Sequence, residues 1–167
     1  MARCLLYLLL LAILFIAKSV MADDQSKVSF AELSKESQDQ LDKQRAFVAG
    51  LLAEHFSGLH LTRTKADFAI LQKIVDANII KKDETWKLQA LGVVFGDTLA
   101  GTIDGLVWCE VTDEYGTDPT LRYRKTSLNA NALTMISKRV EDGRKVDIQD
   151  MANWLAEFIR TKASNYP

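Results

Sequence analysis

Apolar residues recur at helical spacing through the first half of the chain. Leucine, valine and phenylalanine follow this spacing until Ser57-Gly58, which predicts a first helix from near Ser34 to Phe56. A second helix is predicted from Thr64-Lys65-Ala66-Asp67, which has the residue pattern of a capping box. A third is predicted after Asp83. The expected apolar stripes are Phe68, Leu71, Ile74, Val75 and Ile79 on the second helix, and Trp86, Leu88, Leu91, Phe95 and Leu99 on the third.

The third predicted helix contains two glycines one turn apart, Gly92 and Gly96. A glycine inside a helix costs about 1 kcal/mol relative to alanine. Two of them on one face predict that another helix or a sheet packs close to the backbone there. The alternative is that the helix ends near Phe95 and that Gly96 is its C-terminal cap.

From residue 106 the pattern changes to that of strands. Residues 106–112 are rich in β-forming side chains, residues 113–119 are rich in turn formers, and residues 121–126 resume the strand pattern. This order predicts a β-hairpin. Because two strands alone are marginally stable, the hairpin must pack on the helices or gain a further strand, for which residues 127–130 are available.

Two more helices are predicted after the hairpin. The first covers Ala132 to Glu141 and is closed by Gly143, and the second is capped by Asp147. The apolar stripe of the last helix is Ile148, Met151, Trp154, Leu155, Phe158 and Ile159. The predicted fold is therefore α+β: three helices, a β-hairpin or small antiparallel sheet, and two C-terminal helices.

The N-terminus has the layout of a secretory signal peptide. An arginine at position 3 precedes fourteen uncharged residues, and the small residues Val20 and Ala22 stand where signal peptidase requires them. Fourteen helical residues cover roughly 21 Å of a hydrocarbon core about 30 Å thick, so a retained anchor is the weaker interpretation. We predict a signal peptide over residues 1–22 cleaved after Ala22, a polar lead-in over 23–33, and one α+β domain over 34–163.

Charge and cysteine content narrow the function classes. Without Arg3 and Lys18 the mature chain has 21 − 2 = 19 basic residues against 22 acidic ones, a net charge of about −3. This balance argues against a nucleic-acid partner, and no stable membrane anchor is expected after cleavage. Cys109 is the one mature cysteine, so an internal disulfide is excluded. Its place between Val107 and Val111 favours a buried thiol over an intermolecular bridge.

Several short motifs in the second half of the chain resemble a bacterial family. They are Leu91–Asp97 (LGVVFGD), Gly105–Trp108 (GLVW), Asp113–Gly116 (DEYG), Leu121-Arg122, and Ser137–Glu141 (SKRVE). In this order they resemble the family catalogued as domain of unknown function 3806. The resemblance covers roughly half of the mature chain and implies a bacterial domain, without implying any chemistry or catalytic residues. Together with the signal peptide, it suggests a periplasmic protein.

The motifs supply the candidate binding residues, and each also has a purely structural interpretation. The candidates are Asp97, Trp108, Asp113, Glu114, Tyr115, Arg122, Lys138 and Arg139. Paired carboxylates can perform acid–base chemistry, as in glycoside hydrolysis. Asp113-Glu114 in a turn more often serves local hydrogen bonding, however, and Asp97 can orient a loop. The arginines can bind a carboxylate or phosphate, or form ion pairs on a solvated face with Glu110, Asp113 or Glu114.

Motifs of metal, cofactor or nucleophile chemistry are missing from the sequence. The acidic turn at 113–118 lacks the ligand spacing of a calcium loop, and His55 and His60 lack the further ligands that zinc requires. There is no nucleophile elbow and no phosphate-binding glycine loop. We therefore predict no cofactor, no metal site and no catalytic residue.

The sequence leaves two function hypotheses open. The favoured one is an exported, periplasmic domain without enzymatic activity that binds a protein, for example an inhibitor or immunity-type protein. The alternative is a periplasmic hydrolase or small-ligand-binding domain with its site around Asp97, Trp108, Asp113, Glu114 and Arg122. The alternative requires a cleft that contains at least two of these side chains.

Overall fold

The structure is a computed structural model that describes residues 28–164, so the predicted signal peptide lies outside the described residues. Within this range the chain forms five helices and four strands. They are β1 (Ser29–Ala31), α1 (Lys35–His55), α2 (Ala66–Asp76), α3 (Thr85–Thr102), β2 (Leu106–Asp113), β3 (Gly116–Tyr123), β4 (Asn129–Ala130), α4 (Ala132–Glu141) and α5 (Ile148–Ala163). No helix in residues 28–164 is both long enough and apolar enough to cross a membrane.

The predicted α+β architecture is confirmed, with a sheet larger than a hairpin. The four strands are antiparallel and lie in the order β1-β2-β3-β4. The segment expected to be a polar lead-in contains β1, whose Phe30 pairs with Val111. Three residues are too few for an alternating pattern to be recognised, and β1 exists because β2 offers it an edge.

Helix α3 is the centre of the molecule. Every residue from Ala90 to Leu99 is buried, as expected for a helix that is apolar on all sides. It packs against α1, α2, α4 and β2. A small second core of Leu41, Val93 and Leu133 joins it to α1 and α4. Because α3 contacts all these elements, its polar residues also lie inside the fold.

The two glycines of α3 mark close approaches, as predicted. A Cβ at Gly92 would lie 2.2 Å from the carbonyl oxygen of Leu133 in α4, and one at Gly96 would lie 2.4 Å from the indole ring of Trp108. The alternative, in which α3 ends near Phe95, is wrong because the helix continues to Thr102. Only a hydrogen atom fits at these two positions.

One of the two predicted helix caps is present in the structure and the other is not. Asp147 caps α5 as expected, because its Oδ1 accepts the N–H of Asp150 at 2.9 Å. The capping box at Thr64 is wrong: the residue before α2 is Lys65, which makes no side-chain cap. Asp67 is fully buried and accepts the backbone N–H groups of Thr62 and Arg63 at 2.7–3.0 Å, so it orders the loop before the helix.

The hairpin turn is shorter than the turn-forming residues suggested. Only Glu114 and Tyr115 connect β2 to β3, and residues predicted as turn, including Pro119, belong to β3. A proline is tolerated there because β4 pairs only with Leu121 and Arg122, which leaves β3 at the sheet edge at position 119.

Candidate functional site

Asp97 is the centre of a hydrogen-bonded group that we call the Asp97 cluster, consisting of Arg45, Asp97 and Trp108. The carboxylate is 8% exposed. Arg45 donates to it twice, from Nε to Oδ2 and from Nη2 to Oδ1, both at 2.7 Å. The Nε1–H of Trp108 donates to Oδ1 at 2.9 Å. These hydrogen bonds connect one side chain from α1, one from α3 and one from β2.

The charges in this cluster compensate each other. The hydrogen bond from Arg45 to Asp97 raises the pKa of the guanidinium, so Arg45 keeps its positive charge. Arg45 also donates to Asp42 at 2.8 Å, and the Nη2 of Arg63 lies 3.9 Å from Asp97. Both carboxylate oxygens of Asp97 already accept hydrogen bonds. Such a bidentate pair suits the joining of elements better than proton transfer to a substrate.

The other acidic candidates lie at the far end of the hairpin. Asp113 accepts the backbone N–H of Tyr115 at 2.8 Å, which is the local turn bond expected from the structural interpretation. The side chain of Tyr115 is 87% exposed. Five residues of strand separate Trp108 from Asp113, a distance of roughly 17 Å at about 3.3 Å per residue. The structure therefore does not bring Asp97 and Asp113-Glu114 into one cleft.

Arg122 lies on the sheet face opposite Trp108. Its guanidinium stacks on Phe30 at 4.2 Å, with Nε donating to the carbonyl of Thr126 and Nη2 to that of Lys125. The predicted ion pairs with Glu110, Asp113 or Glu114 are wrong for residues 28–164. In the strand predicted over residues 121–126, Arg122 and Arg124 would share one face. The strand ends at Tyr123, however, and Arg124 adopts a positive φ of 51°.

The remaining two candidates, Lys138 and Arg139, line a groove. This α4–α5 groove runs between α4 and α5 beside β4 and has a volume of about 420 Å³. Its lining residues are Asn129, Ala130, Asn131, Thr134, Met135, Lys138, Arg139, Arg144, Trp154, Leu155 and Phe158. Trp154 and Phe158 stack at 5.5 Å with an interplanar angle of 12°, and Trp154 is 59% exposed. The groove thus combines an open aromatic surface with three cationic side chains.

Most of the cationic charge at the groove is not paired with a carboxylate of the described residues. Within the part of the chain that the structure describes, the exposed side chain of Lys138 makes no hydrogen bond or ion pair. Arg139 donates from Nη1 to the carbonyl of Met135, which leaves its charge uncompensated. Arg144 pairs with the exposed Asp142 at 2.8 Å. An exposed pair of this kind is weak.

The prediction that Trp154 belongs to the apolar stripe of the last helix is wrong. At 100° per residue, Trp154 lies about 120° from the stripe centre defined by Ile148, Leu155 and Ile159. Those three residues are buried, whereas Trp154 faces the groove. This angular offset is the feature of the sequence that places Trp154 outside the buried stripe. Nothing in the sequence pattern placed Arg144 or Phe158 beside Lys138.

Other features of the described residues suit a ligand less well. A larger depression of about 590 Å³ lies between α2 and the loop before α5, but no exposed aromatic side chain lines it. Its Gln72 is used inside the fold, donating to Val146 and accepting from Ile148. No three His, Cys, Asp or Glu side chains of residues 28–164 gather as metal ligands. Cys109 is a free, buried thiol, as predicted, and burial raises its pKa.

Comparison with solved structures identifies one similar fold. A crystal structure of a protein from Bacteroides thetaiotaomicron matches with a TM-score of 0.69 at 14% sequence identity, over 78% of this chain and 48% of that protein. The chain thus spans about half the length of its structural relative. At this identity the likeness concerns the fold alone. A search of curated proteins found no match.

A family model provides the remaining comparison. The model described as "Domain of unknown function (DUF3806)" matches residues 67–151. The match extends from the start of α2 into α5, so it includes α3 with its two glycines, the hairpin and one wall of the α4–α5 groove. It covers half of the chain and confirms the resemblance found in the motifs between Leu91 and Glu141. The chain belongs to the domain of unknown function 3806 family.

Proposed function

We propose that this protein is a small binding domain that works outside the cytoplasm and docks a protein partner in the α4–α5 groove. The observation that supports the proposal is the stacked pair Trp154–Phe158, which lies open beside Lys138 and Arg139. Tryptophan and arginine are the residue types most enriched among the hot spots of protein interfaces. The groove presents both types in one concave surface.

The positive charge of the groove favours an acidic partner. The mature chain as proposed has a net charge of about −3, yet the groove concentrates positive charge at Lys138, Arg139 and Arg144. An acidic partner segment with an apolar or aromatic side chain satisfies both properties of the surface. The charges steer the encounter, and burial of the aromatic pair provides most of the affinity.

Export is the second part of the proposal and is supported by the sequence alone. The arginine, the short apolar run and the small residues before Ala22 constitute a signal peptide pattern. The proposed location is the periplasm or the extracellular medium. One specific version is an inhibitor or immunity-type protein that forms a tight one-to-one complex.

A hydrolase or small-molecule site has less support. Asp113 and Glu114 lie at the end of the hairpin away from Asp97, and the carboxylate of Asp97 already accepts three hydrogen bonds from Arg45 and Trp108. A binding domain requires none of these residues to be reactive.

The docking proposal is tested by capture from cell-envelope extract with the processed, tagged protein. We expect one stoichiometric partner, identified by mass spectrometry, and loss of that partner when Trp154→Ala is used. The matched control is Trp86→Ala, because Trp86 is also exposed (44%) but lies in a separate depression with Glu36 and Asp39. A partner retained by Trp154→Ala, or lost equally with Trp86→Ala, contradicts docking in this groove.

Export is tested separately by fusing residues 1–30 to a phosphatase that is active only outside the cytoplasm. Activity is expected for the native segment, with processing after Ala22 shown by N-terminal sequencing. Leu9→Arg interrupts the apolar run and is expected to abolish activity. An inactive native fusion would contradict export without bearing on the groove.

A further inference from the structure

The hairpin tip, residues 113–118, has the properties that the α4–α5 groove selects. The tip contains the carboxylates Asp113, Glu114 and Asp118 and no basic residue. Tyr115 lies between them, 87% exposed. In residues 28–164, the side-chain carboxylates of Glu114 and Asp118 make no hydrogen bond or ion pair. The tip is thus an acidic segment centred on one aromatic side chain.

The groove is complementary to this segment in charge and in chemistry. The groove has the three cations Lys138, Arg139 and Arg144 where the tip has three carboxylates, and its stacked rings of Trp154 and Phe158 offer a surface for a tyrosine. Aromatic side chains in such contacts contribute roughly 0.5–1.5 kcal/mol beyond the area they bury.

The tip cannot reach the groove of its own molecule. Strand β3 begins at Gly116, and five residues later its Leu121 pairs with Ala130 at the edge of the groove. These five residues of strand place the tip roughly 17 Å from that position. A contact between the two surfaces must therefore be intermolecular.

We infer that the α4–α5 groove of one molecule binds the hairpin tip of a second copy of this chain. The inference rests on the proposed function, because it uses the same groove and names one occupant of it. The contact is heterologous, since the two surfaces are different parts of the chain. It leaves one tip and one groove free in every dimer, so association continues to rings or open chains.

The experiment is sedimentation velocity of the processed protein over a range of concentrations at low and high salt. We expect the average mass to rise with concentration at low salt and association to weaken by more than about tenfold in 0.5 M salt, where exposed charges are screened. A wild-type protein that stays monomeric at every concentration at low salt overturns the inference.

Two double variants define the surfaces. Lys138→Glu with Trp154→Ala disables the groove, and Glu114→Lys with Tyr115→Ala disables the tip. Each variant alone is expected to be monomeric, with circular dichroism confirming that it is folded. Mixed in equal amounts, they are expected to form a dimer that does not grow further, because one variant contributes an intact tip and the other an intact groove. A mixture that remains monomeric while the wild type associates overturns the assignment of these surfaces.

The same variants distinguish this inference from the proposed function. If the wild type is monomeric but the groove variant loses the envelope partner, self-association is wrong and groove docking stands. If the groove variant retains that partner while the complementary mixture forms dimers, a different surface binds the foreign protein. If the groove variant both retains the envelope partner and still self-associates, the proposed function and the inference are both contradicted.

Discussion

The Asp97 cluster and the α4–α5 groove are built from the same residue types and are opposite in character. Each contains a tryptophan and arginine side chains. In the cluster, Trp108 donates its N–H to Asp97 and its ring lies over Gly96, while Arg45 is paired twice with the carboxylate. In the groove, Trp154 is 59% exposed and Arg139 has no acidic partner in residues 28–164.

The two regions differ in burial and in satisfied hydrogen bonds, and this difference separates the structural Asp97 cluster from the proposed binding surface. A buried polar group must be paired within the fold or its desolvation is uncompensated. Once paired, it gains little further free energy from a ligand. An exposed aromatic surface and unpaired cations can still gain free energy from a partner. The comparison predicts that cluster variants lose stability and groove variants lose binding.

The largest expected effect is that of Asp97→Ala. It leaves the largely buried Arg45 guanidinium without its main partner and removes the acceptor of Trp108 Nε1. We expect the free energy of unfolding to fall by about 3 kcal/mol, the usual result of removing one partner of a buried ion pair. Urea denaturation measures this change. Asp42→Ala, which removes the exposed partner of Arg45, is the control and should change little; equal losses would contradict a special role for Asp97.

Gly92→Ala should have the next largest effect. The added methyl group would lie 2.2 Å from the carbonyl oxygen of Leu133, so α3 and α4 must separate. We expect a loss of about 2 kcal/mol in the free energy of unfolding, the overpacking cost less the gain in helix propensity. Gly50→Ala in α1 is the matched control, because nothing lies within 4 Å of its added Cβ. It should stabilise by roughly 0.5–1 kcal/mol. A neutral Gly92→Ala would mean that the helices are not in close contact.

Glu110 in β2 should have a smaller effect on the free energy of unfolding, and this effect should depend on pH. Hydrogen bonds from Ser34 and Ser37 lower the pKa of Glu110 below its ordinary value of 4.5. The folded state therefore favours the carboxylate, and the resulting stability is present above pH 4.5 and lost as pH falls through the folded pKa. Glu110→Gln should flatten the acid limb of stability against pH. Glu36→Gln is the control, since the side chain of Glu36 makes no hydrogen bond in the described chain. If Glu110→Gln leaves the loss of stability at acid pH unchanged, the hydrogen bonds from Ser34 and Ser37 are not formed in solution.

Trp154→Ala should have the smallest effect on stability. Because most of its side chain is already in solvent, we expect a change within about 1 kcal/mol in the free energy of unfolding. Thermal denaturation followed by circular dichroism is sufficient to measure it. A loss comparable with that of Asp97→Ala would place Trp154 in the core and remove the distinction between the two regions.

Local patterns were enough to predict most of the helices. The periodic segments of α1, α2, α3, α4 and α5 were all recognised, because apolar spacing and end signals act over a few neighbouring residues. The glycine pair of α3 also indicated a close approach, although not which residues approach. Strand β1 and the short turn at Glu114-Tyr115 were missed, because pairing with a distant strand decides both.

The candidate residues show where such reasoning ends. The family motifs contain Asp97, Trp108, Lys138 and Arg139, but do not distinguish the internally bonded Asp97 and Trp108 from the residues that line the groove. Only the packing of α1 against α3 revealed Arg45, which no motif contains and which occupies the carboxylate of Asp97. The groove likewise depends on α5 bringing Trp154 and Phe158 beside α4.

The sequence by itself determined the fold class, the family and the positions of the helices. These properties depend on composition and on spacing between near neighbours. The tertiary structure decided which charged and aromatic residues are satisfied internally and which remain open to a partner. That distinction depends on contacts between residues separated by up to 76 positions, such as Ser34 and Glu110, and a linear pattern does not contain them.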